Sequence, residues 1–141
     1  MLEMDTIEQA AAHIEPHIRQ TPCIHIEADT FSAGAEVTLK LELMQHTGSF
    51  KPRGAFNRLL SATVTEAGVI AASGGNHGIA VAYAAQQLGL RAEVFVPEIT
   101  SRSKMQRLSD YQAEVIVTGA NYAQAFAASE KRRDQTCLLY T

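Results

Sequence analysis

Between Gly68 and Tyr140 the chain alternates short apolar runs with helix-patterned stretches, and this alternation constrains the fold more than any other feature. Gly68 to Ala72 is a brief apolar run bounded by glycines, the pattern of a buried parallel strand. Ala92 to Val96 is a second such run, ending at Pro97, and Glu114 to Thr118 is a third; Cys137 to Tyr140 is a last apolar run. Between them, Asn76 to Leu88 reads as a helix apolar almost all round, through Ile79, Val81, Tyr83 and several alanines, closed by Gly89 at a C′ position. Ser101 or Ser103 is placed to cap the next helix, with Met105 and Leu108 inward. A further helix runs from about Tyr122 to Arg133 with Phe126 inside. Strand and helix in turn predict an α/β chain: an open, mainly parallel sheet with helices on both faces and its ligand in the loops beyond the C-terminal strand ends.

The N-terminal third is less regular. Asp5, with Glu8 three residues on, marks a helix start, and Ile7, Ala10, Ala11, Ile14 and Ile18 keep a helical stripe that Pro16 should end near Ile14. His13 and His17 have metal-ligand spacing, but with Pro16 between them and no carboxylate motif nearby they read as surface histidines. Thr21-Pro22 leads into a short extended piece, Cys23 to Ile26. Val37, Leu39, Leu41 and Leu43 alternate with Glu36, Thr38, Lys40 and Glu42, which predicts a half-buried strand.

That strand feeds the stretch Gln45-His46-Thr47-Gly48-Ser49-Phe50-Lys51-Pro52-Arg53-Gly54-Ala55. Pro52 suits the first turn of a helix, so Lys51 and Arg53 flank a helix N-terminus. Cations are disfavoured there, by roughly 0.3–1 kcal/mol each, because that end of the helix dipole is positive. Either both side chains snorkel into water, or they act: the positive end and Arg53 keep the Lys51 amine partly neutral and nucleophilic, or the cluster binds an anion. Phe56, Leu59 and Leu60 continue the helix.

Ser73-Gly74-Gly75-Asn76-His77-Gly78 lies between a predicted strand and a predicted helix. Paired glycines allow backbone N–H groups to converge on an anion at a helix N-terminus, or serve only the geometry of a tight turn. The order G-G-x-x-G is not the dinucleotide fingerprint G-x-G-x-x-G, and Glu93, at the start of the next strand, is misplaced to hold a ribose.

At 141 residues the chain suits one domain with a real core, and its 46% apolar and 19% charged content is that of a soluble globular protein. A net charge of -3 leaves no basic footprint for nucleic acid; the densest basic run, Lys131-Arg132-Arg133, reads as the last turn of a helix. No stretch is long and apolar enough to span a bilayer, and Met1-Leu2-Glu3-Met4-Asp5 lacks a signal-peptide pattern, so the cytoplasm is expected. Cys23 and Cys137 are far apart and are expected as buried small hydrophobes.

The run His46-Thr47-Gly48-Ser49-Phe50-Lys51-Pro52-Arg53-Gly54-Ala55 resembles the cofactor-lysine motif of the threonine/serine dehydratase and serine racemase family, pyridoxal-phosphate enzymes of fold type II. Ala72-Ser73-Gly74-Gly75-Asn76-His77-Gly78 resembles that family's second motif, at its spacing from the first, and the likeness runs from about Ile7 to the last residue. The resemblance implies that Lys51 carries pyridoxal 5′-phosphate and acts as the catalytic base. Phe50 would pack against the cofactor and Asn76 would hydrogen-bond its 3′-oxygen. Ser73, Gly74, Gly75, Asn76 and His77 would hold the substrate, its carboxylate on Ser73 and the loop N–H groups. No metal ligand is implied. His77 separates the chain from cysteine synthases, which resemble it but carry Thr after the Asn. Serine racemases resemble it with a second Ser at position 74, the base on the opposite cofactor face; Gly74 has no side chain and favours elimination.

The activity implied is β-elimination of L-threonine or L-serine to a 2-oxo acid and ammonia, with serine racemisation or a non-catalytic remnant as alternatives, and a homodimer is expected of the complete form. Family members are more than twice this length, and their glycine-rich phosphate cup, the group facing the ring nitrogen and the cation site lie later. Residues 1–43 therefore resemble the start of the large domain and residues 44–141 the small domain, with the chain truncated before the rest. Tyr111-Gln112-Ala113 departs from a family pattern with Gly before Ala. If Gln112 takes φ > 0, the cost is on the order of 1 kcal/mol. The Cys137-Leu138 pair is also atypical.

Overall fold

The computed structural model describes residues 3–28, 30 and 34–141; Met1 and Leu2 of the N-terminal reading lie outside them. Its helices are α1 (Met4–Ile14), α2 (Lys51–Leu60), α3 (Asn76–Gln87), α4 (Arg102–Asp110) and α5 (Tyr122–Asp134). The strands are β1 (Cys23–Ile26), β2 (Val37–Lys40), β3 (Val69–Ala72), β4 (Ala92–Val96), β5 (Glu114–Val117) and β6 (Leu139–Tyr140). β1 and β2 form a separate antiparallel ribbon; the other four make a parallel sheet in the order β5-β4-β3-β6.

The predicted α/β architecture with helices on both faces is what the chain adopts. Val69 and Ala71 of β3, with Ala92, Val94 and Val96 of β4, face the larger core, where Phe56 and Leu59 of α2, Ile79 to Ala85 of α3 and Leu108 of α4 pack. Ile70, Ala72 and Phe95 face the other side, against Phe126 and Ala128 of α5. Both faces of β3 and β4 are therefore covered, which is why their sequences are apolar on both faces instead of alternating, Glu93 of β4 excepted. The chain steps outward from β3 to β4 to β5 and then returns to β6 on the other side of β3. The strand order thus reverses between β3 and β6, and a crevice opens beyond the carboxyl ends of those two parallel strands.

Glu93 lies on the α5 face of β4, only 4% exposed, and Arg132 of α5 reaches it with two hydrogen bonds of 2.9 and 2.7 Å. The basic run at the end of α5 thus supplies more than a favourable interaction with the helix dipole. Its middle residue neutralises the one acid on the buried strands.

Several expectations are corrected. The alternating run through Leu43 is a strand only as far as Lys40. The ladder ends where the Leu41 amide donates to Pro22, the chain turns through a 3₁₀ segment at Glu42–Met44, and Leu43 is left 71% exposed. Cys23 and Cys137 are exposed, not buried: Cys23 lies on the ribbon, whose residues are mostly open, and Cys137 in the link from α5 to β6. His13 is exposed as expected, but His17 stacks on Phe56 at 5.0 Å. Ser101 stands at the start of α4 without capping it, its hydroxyl meeting that of Ser103; the side-chain cap that does form is Asn121 on the Gln124 amide of α5. Gln112 does take a positive φ, 61°, as its place after α4 demanded.

Two stability predictions follow from these features. Arg132 holds the Glu93 carboxyl below its ordinary value, against burial, which pushes it up. A depressed carboxylate contributes stability above its unfolded pKa and loses it as the pH falls through its folded value. Arg132→Met strands the buried carboxylate, so its urea midpoint should fall at pH 7. The gap to wild type should begin to narrow above the ordinary glutamate pKa of about 4.3, because burial without Arg132 raises the stranded group, and should close as the pH falls through the lowered wild-type value. Gln112→Gly relieves the left-handed backbone and should raise unfolding stability by about 0.5–1 kcal/mol in the same assay.

Candidate active site

The turn before α2 is held from three directions. Gln45 is 2% exposed, and its Oε1 accepts from the Arg19 and His46 amides while its Nε2 donates to the Arg19 carbonyl at 2.8 Å. One side-chain amide thereby pairs the turn with the segment after α1 as a strand partner would. Thr47 and Gly48 then take φ of 63° and 76°. For a β-branched residue this is a strained conformation, costing of order 1–3 kcal/mol, and Arg107 of α4 steadies it by donating to the Thr47 carbonyl at 3.1 Å. His46 stacks on Tyr83 of α3 at 4.9 Å, and burial pushes its pKa down. So braced, the chain enters α2 with Lys51 as its first residue and Arg53 two on.

The two cations meet different fates. Arg53 donates from Nε and a terminal nitrogen to both carboxylate oxygens of Glu42, each at 2.8 Å. The fork holds the Glu42 carboxyl below its ordinary value and is itself raised. Among the described residues no acid pairs with Lys51, whose Nζ lies 5.2 Å from the centroid of the Phe50 ring. Phe50 is itself 58% exposed.

A cleft of about 400 Å³ at the sheet's reversal point contains Phe50, Lys51, Arg53 and Arg58 from the α2 side, His77 from α3, and Tyr140 and Thr141 from the end of β6. His77 Nε2 lies 3.1 Å from the Thr141 carbonyl and donates to it in the tautomer that contact requires. Burial raises the Tyr140 phenol. Among the described residues, three buried hydroxyls have no partner: Thr47 and Ser49 in the turn before Lys51, and Thr141 in the cleft. The Thr141 hydroxyl shares the cleft with the unpaired amine, and an unsatisfied buried hydroxyl there is one a polar ligand would complete.

The glycine loop divides the predicted site. Phe50, Lys51 and His77 share the first cleft, whereas Ser73, Gly74 and Gly75 line a neighbouring one of about 360 Å³ with Thr100, Ser101, Lys104 and Tyr122. Asn76, the first residue of α3, lines neither and stands between them in sequence. The Ser73 hydroxyl accepts from the Gly75 amide at 3.2 Å, which occupies one of the N–H groups expected to face a carboxylate. The α3 N-terminus has no side-chain cap. Gly78 has a packing reason: a Cβ there would overlap the Ser73 carbonyl oxygen. At Gly74 a Cβ would come within 2.9 Å of the Thr100 methyl, so a serine at this position would require Thr100 to move.

Sequence reasoning missed Arg58, Tyr140 and Thr141. Arg58 follows Lys51 by seven residues, two helical turns, so its place on the same face was available from spacing. Tyr140 and Thr141 arrive only through the pairing of β6 with β3, Tyr140 opposite Ile70, which no local pattern announces.

Comparison with known proteins agrees with this geometry. A family profile described as pyridoxal-phosphate dependent enzyme matches residues 14–141. The chain belongs to that family. Its relatives in sequence include an L-threonine ammonia-lyase of Geobacter sulfurreducens, 37% identical over 142 residues that cover 99% of this chain and 35% of the relative. A catabolic L-threonine dehydratase of Staphylococcus aureus is 43% identical over 126 residues, covering 86% and 36%. Among solved structures, maize serine racemase superposes with a TM-score of 0.88 at 28% identity, over 98% of this chain and 43% of that one. The chain thus spans little more than a third of the length of these curated relatives. Within the pyridoxal-phosphate-dependent family, the residues here suit the carbonyl end of the cofactor: an unpaired primary amine in a cleft that also holds an unsatisfied hydroxyl.

Gly78→Ala should separate packing from chemistry. Because the methyl would overlap the Ser73 carbonyl, the loop must reopen or α3 must lift from the sheet. The variant is expected to lose at least about 2 kcal/mol of stability by urea unfolding, in the range of overpacked core sites.

Proposed function

We propose that this chain forms part of a pyridoxal-phosphate-dependent dehydratase that eliminates water from L-threonine or L-serine, the enamine so formed then taking up water on hydrolysis to give a 2-oxo acid and ammonia. The observation that carries the reading is the Lys51 amine, without an acid partner among the described residues, in a cleft at the reversal point of a parallel sheet. The named dehydratase and ammonia-lyase relatives support the substrate class. When bound, pyridoxal phosphate supplies a conjugated ring that takes up the electron pair released at the substrate α-carbon.

The chain's own residues then have separable tasks. Lys51 holds the cofactor through Nζ and, once displaced by the substrate amine, removes the α-proton at that same atom. Asn76, at the start of α3, is assigned the cofactor's 3′-oxygen, and Phe50 the face of its ring. The carboxylate is assigned to Ser73, Gly74, Gly75, Asn76 and His77, where the uncapped helix start favours negative charge. Residues 1–43 are assigned to the start of a larger cofactor domain and residues 44–141 to the small domain; the separate β1–β2 ribbon, exposed along most of its length, fits such a division. A homodimer in the cytoplasm is the assembly and place that go with this reading. No helix among the described residues is long and apolar enough to cross a membrane.

Racemisation is the weaker reading, since it requires a proton-handling group on the opposite face. Gly74 offers none, and the Thr100 side chain fills the space beside it.

An absorption titration with pyridoxal phosphate tests the proposal. A saturable band that borohydride fixes on Lys51, and that Lys51→Ala abolishes, is expected, with turnover of threonine and serine assayed next. Slow labelling spread over several lysines would instead mark a non-catalytic remnant.

A further inference from the structure

Arg53 stands in the wall between two cavities, lining both the Lys51 cleft and a larger groove of about 780 Å³ along α1. Its guanidinium is committed to Glu42 through two bonds. The same carboxylate accepts the Thr21 hydroxyl at 2.5 Å, and Lys40, which donates to the Thr21 carbonyl at 2.6 Å, adds its charge nearby. Three hydrogen bonds fix the carboxylate, and the carboxylate fixes the fork. The other charged or titratable side chains around Arg53 are Lys51 and Arg58 on α2, His77 on α3, Tyr140 on β6, and Glu15, Arg19 and Lys40 on the groove side, with the terminal carboxylate of Thr141 in the cleft.

We propose that Glu42 is a positioning residue for Lys51: by binding the Arg53 fork it withdraws that charge from the Lys51 amine and so sets how readily the amine reacts. The proposal rests on Lys51 being the reacting amine and deepens that reading. An ion pair acts on a third charge as a dipole, whereas either partner alone acts as a full charge whose effect falls only with inverse distance. Breaking the pair from its two sides must therefore have opposite signs. Glu42→Gln leaves Arg53 uncompensated two residues from Lys51 and favours the neutral amine. Arg53→Gln leaves Glu42 uncompensated and favours the ammonium. A purely mechanical clamp would send both variants the same way.

Trace labelling with acetic anhydride across pH, read peptide by peptide by mass spectrometry on the chain without added cofactor, distinguishes the two. The Lys51 profile should move about half a pH unit down in Glu42→Gln and about as far up in Arg53→Gln, roughly a threefold change in rate in each direction at neutral pH. The double variant should return close to wild type and Glu42→Asp should track it, while Lys104 and Lys131, on α4 and α5, stay unchanged. Displacement of both single variants in one direction, or of neither, overturns the proposal. Should Glu42→Gln fail to fold, Arg53→Gln decides it: an upward displacement that the double variant cancels supports the role, and no displacement overturns it. Because the labelling needs no cofactor, failure to take up pyridoxal phosphate would sink the proposed activity and leave this result standing.

Discussion

The site depends on a close approach that only glycine permits. Gly78 sits in the first turn of α3 with no room for a side chain, its α-carbon pressed toward the Ser73 carbonyl and the Val94 side chain of β4. That contact lets α3 lie flat on β3 and β4, burying an almost unbroken run from Gly78 to Ala85. It also bends the chain sharply enough after β3 for Ser73 to close on the Gly75 amide. The anion-friendly helix start and the core are thus one construction. The loop is held open because the helix behind it is anchored by apolar burial worth about 25 cal/mol for each Å² removed from water.

On the other wall, order is imposed by polar groups. The segment from Leu41 to Phe50 has little apolar burial, and it is held by the Gln45 amide, the Glu42–Arg53 fork and the Arg107 bond to Thr47. These contacts reach separately to the segment after α1, to α2 and to α4, so the turn before Lys51 is triangulated. The strained Thr47 backbone persists because its neighbours over-determine it. Rigidity here serves orientation, since an amine on a five-bond tether is useful only if its α-carbon is fixed.

How far the sequence was legible divides along the same line. The strands β3, β4 and β5, the helix α3, the Gly89 terminus and the positive φ of Gln112 could all be read, because each follows from periodicity or from the conformational limits of a single residue. The turn before α2 and the glycine loop before α3 could be placed between their elements for the same reason. What could not be read are pairings between residues far apart in the chain: Glu93 with Arg132, 39 positions on; Gln45 with Arg19; and Tyr140 opposite Ile70. The Leu41–Leu43 alternation misled because hydrophobic spacing reports what a strand could bury. It carries no information on whether a partner strand extends far enough, and β1 ends the ladder at Lys40. The exposed cysteines misled in the same way, since their burial was inferred from residue type alone.

The cleft's charge follows from that arrangement rather than from composition. The whole chain carries a net -3, yet Lys51, Arg53, Arg58 and His77 line the cleft and no Asp or Glu side chain does. Glu42 cancels Arg53 from outside the cleft wall, leaving Lys51 and Arg58 as the uncompensated cations within it; Arg58 spends only a long 3.4 Å bond, on the Tyr140 carbonyl. In a cavity with partly buried walls the field of two such cations is screened less than at an open surface. Those two cations therefore favour a ligand bearing a carboxylate or phosphate over a cationic one. The local field thus depends on where one acid, Glu42, stands relative to two helical turns of base.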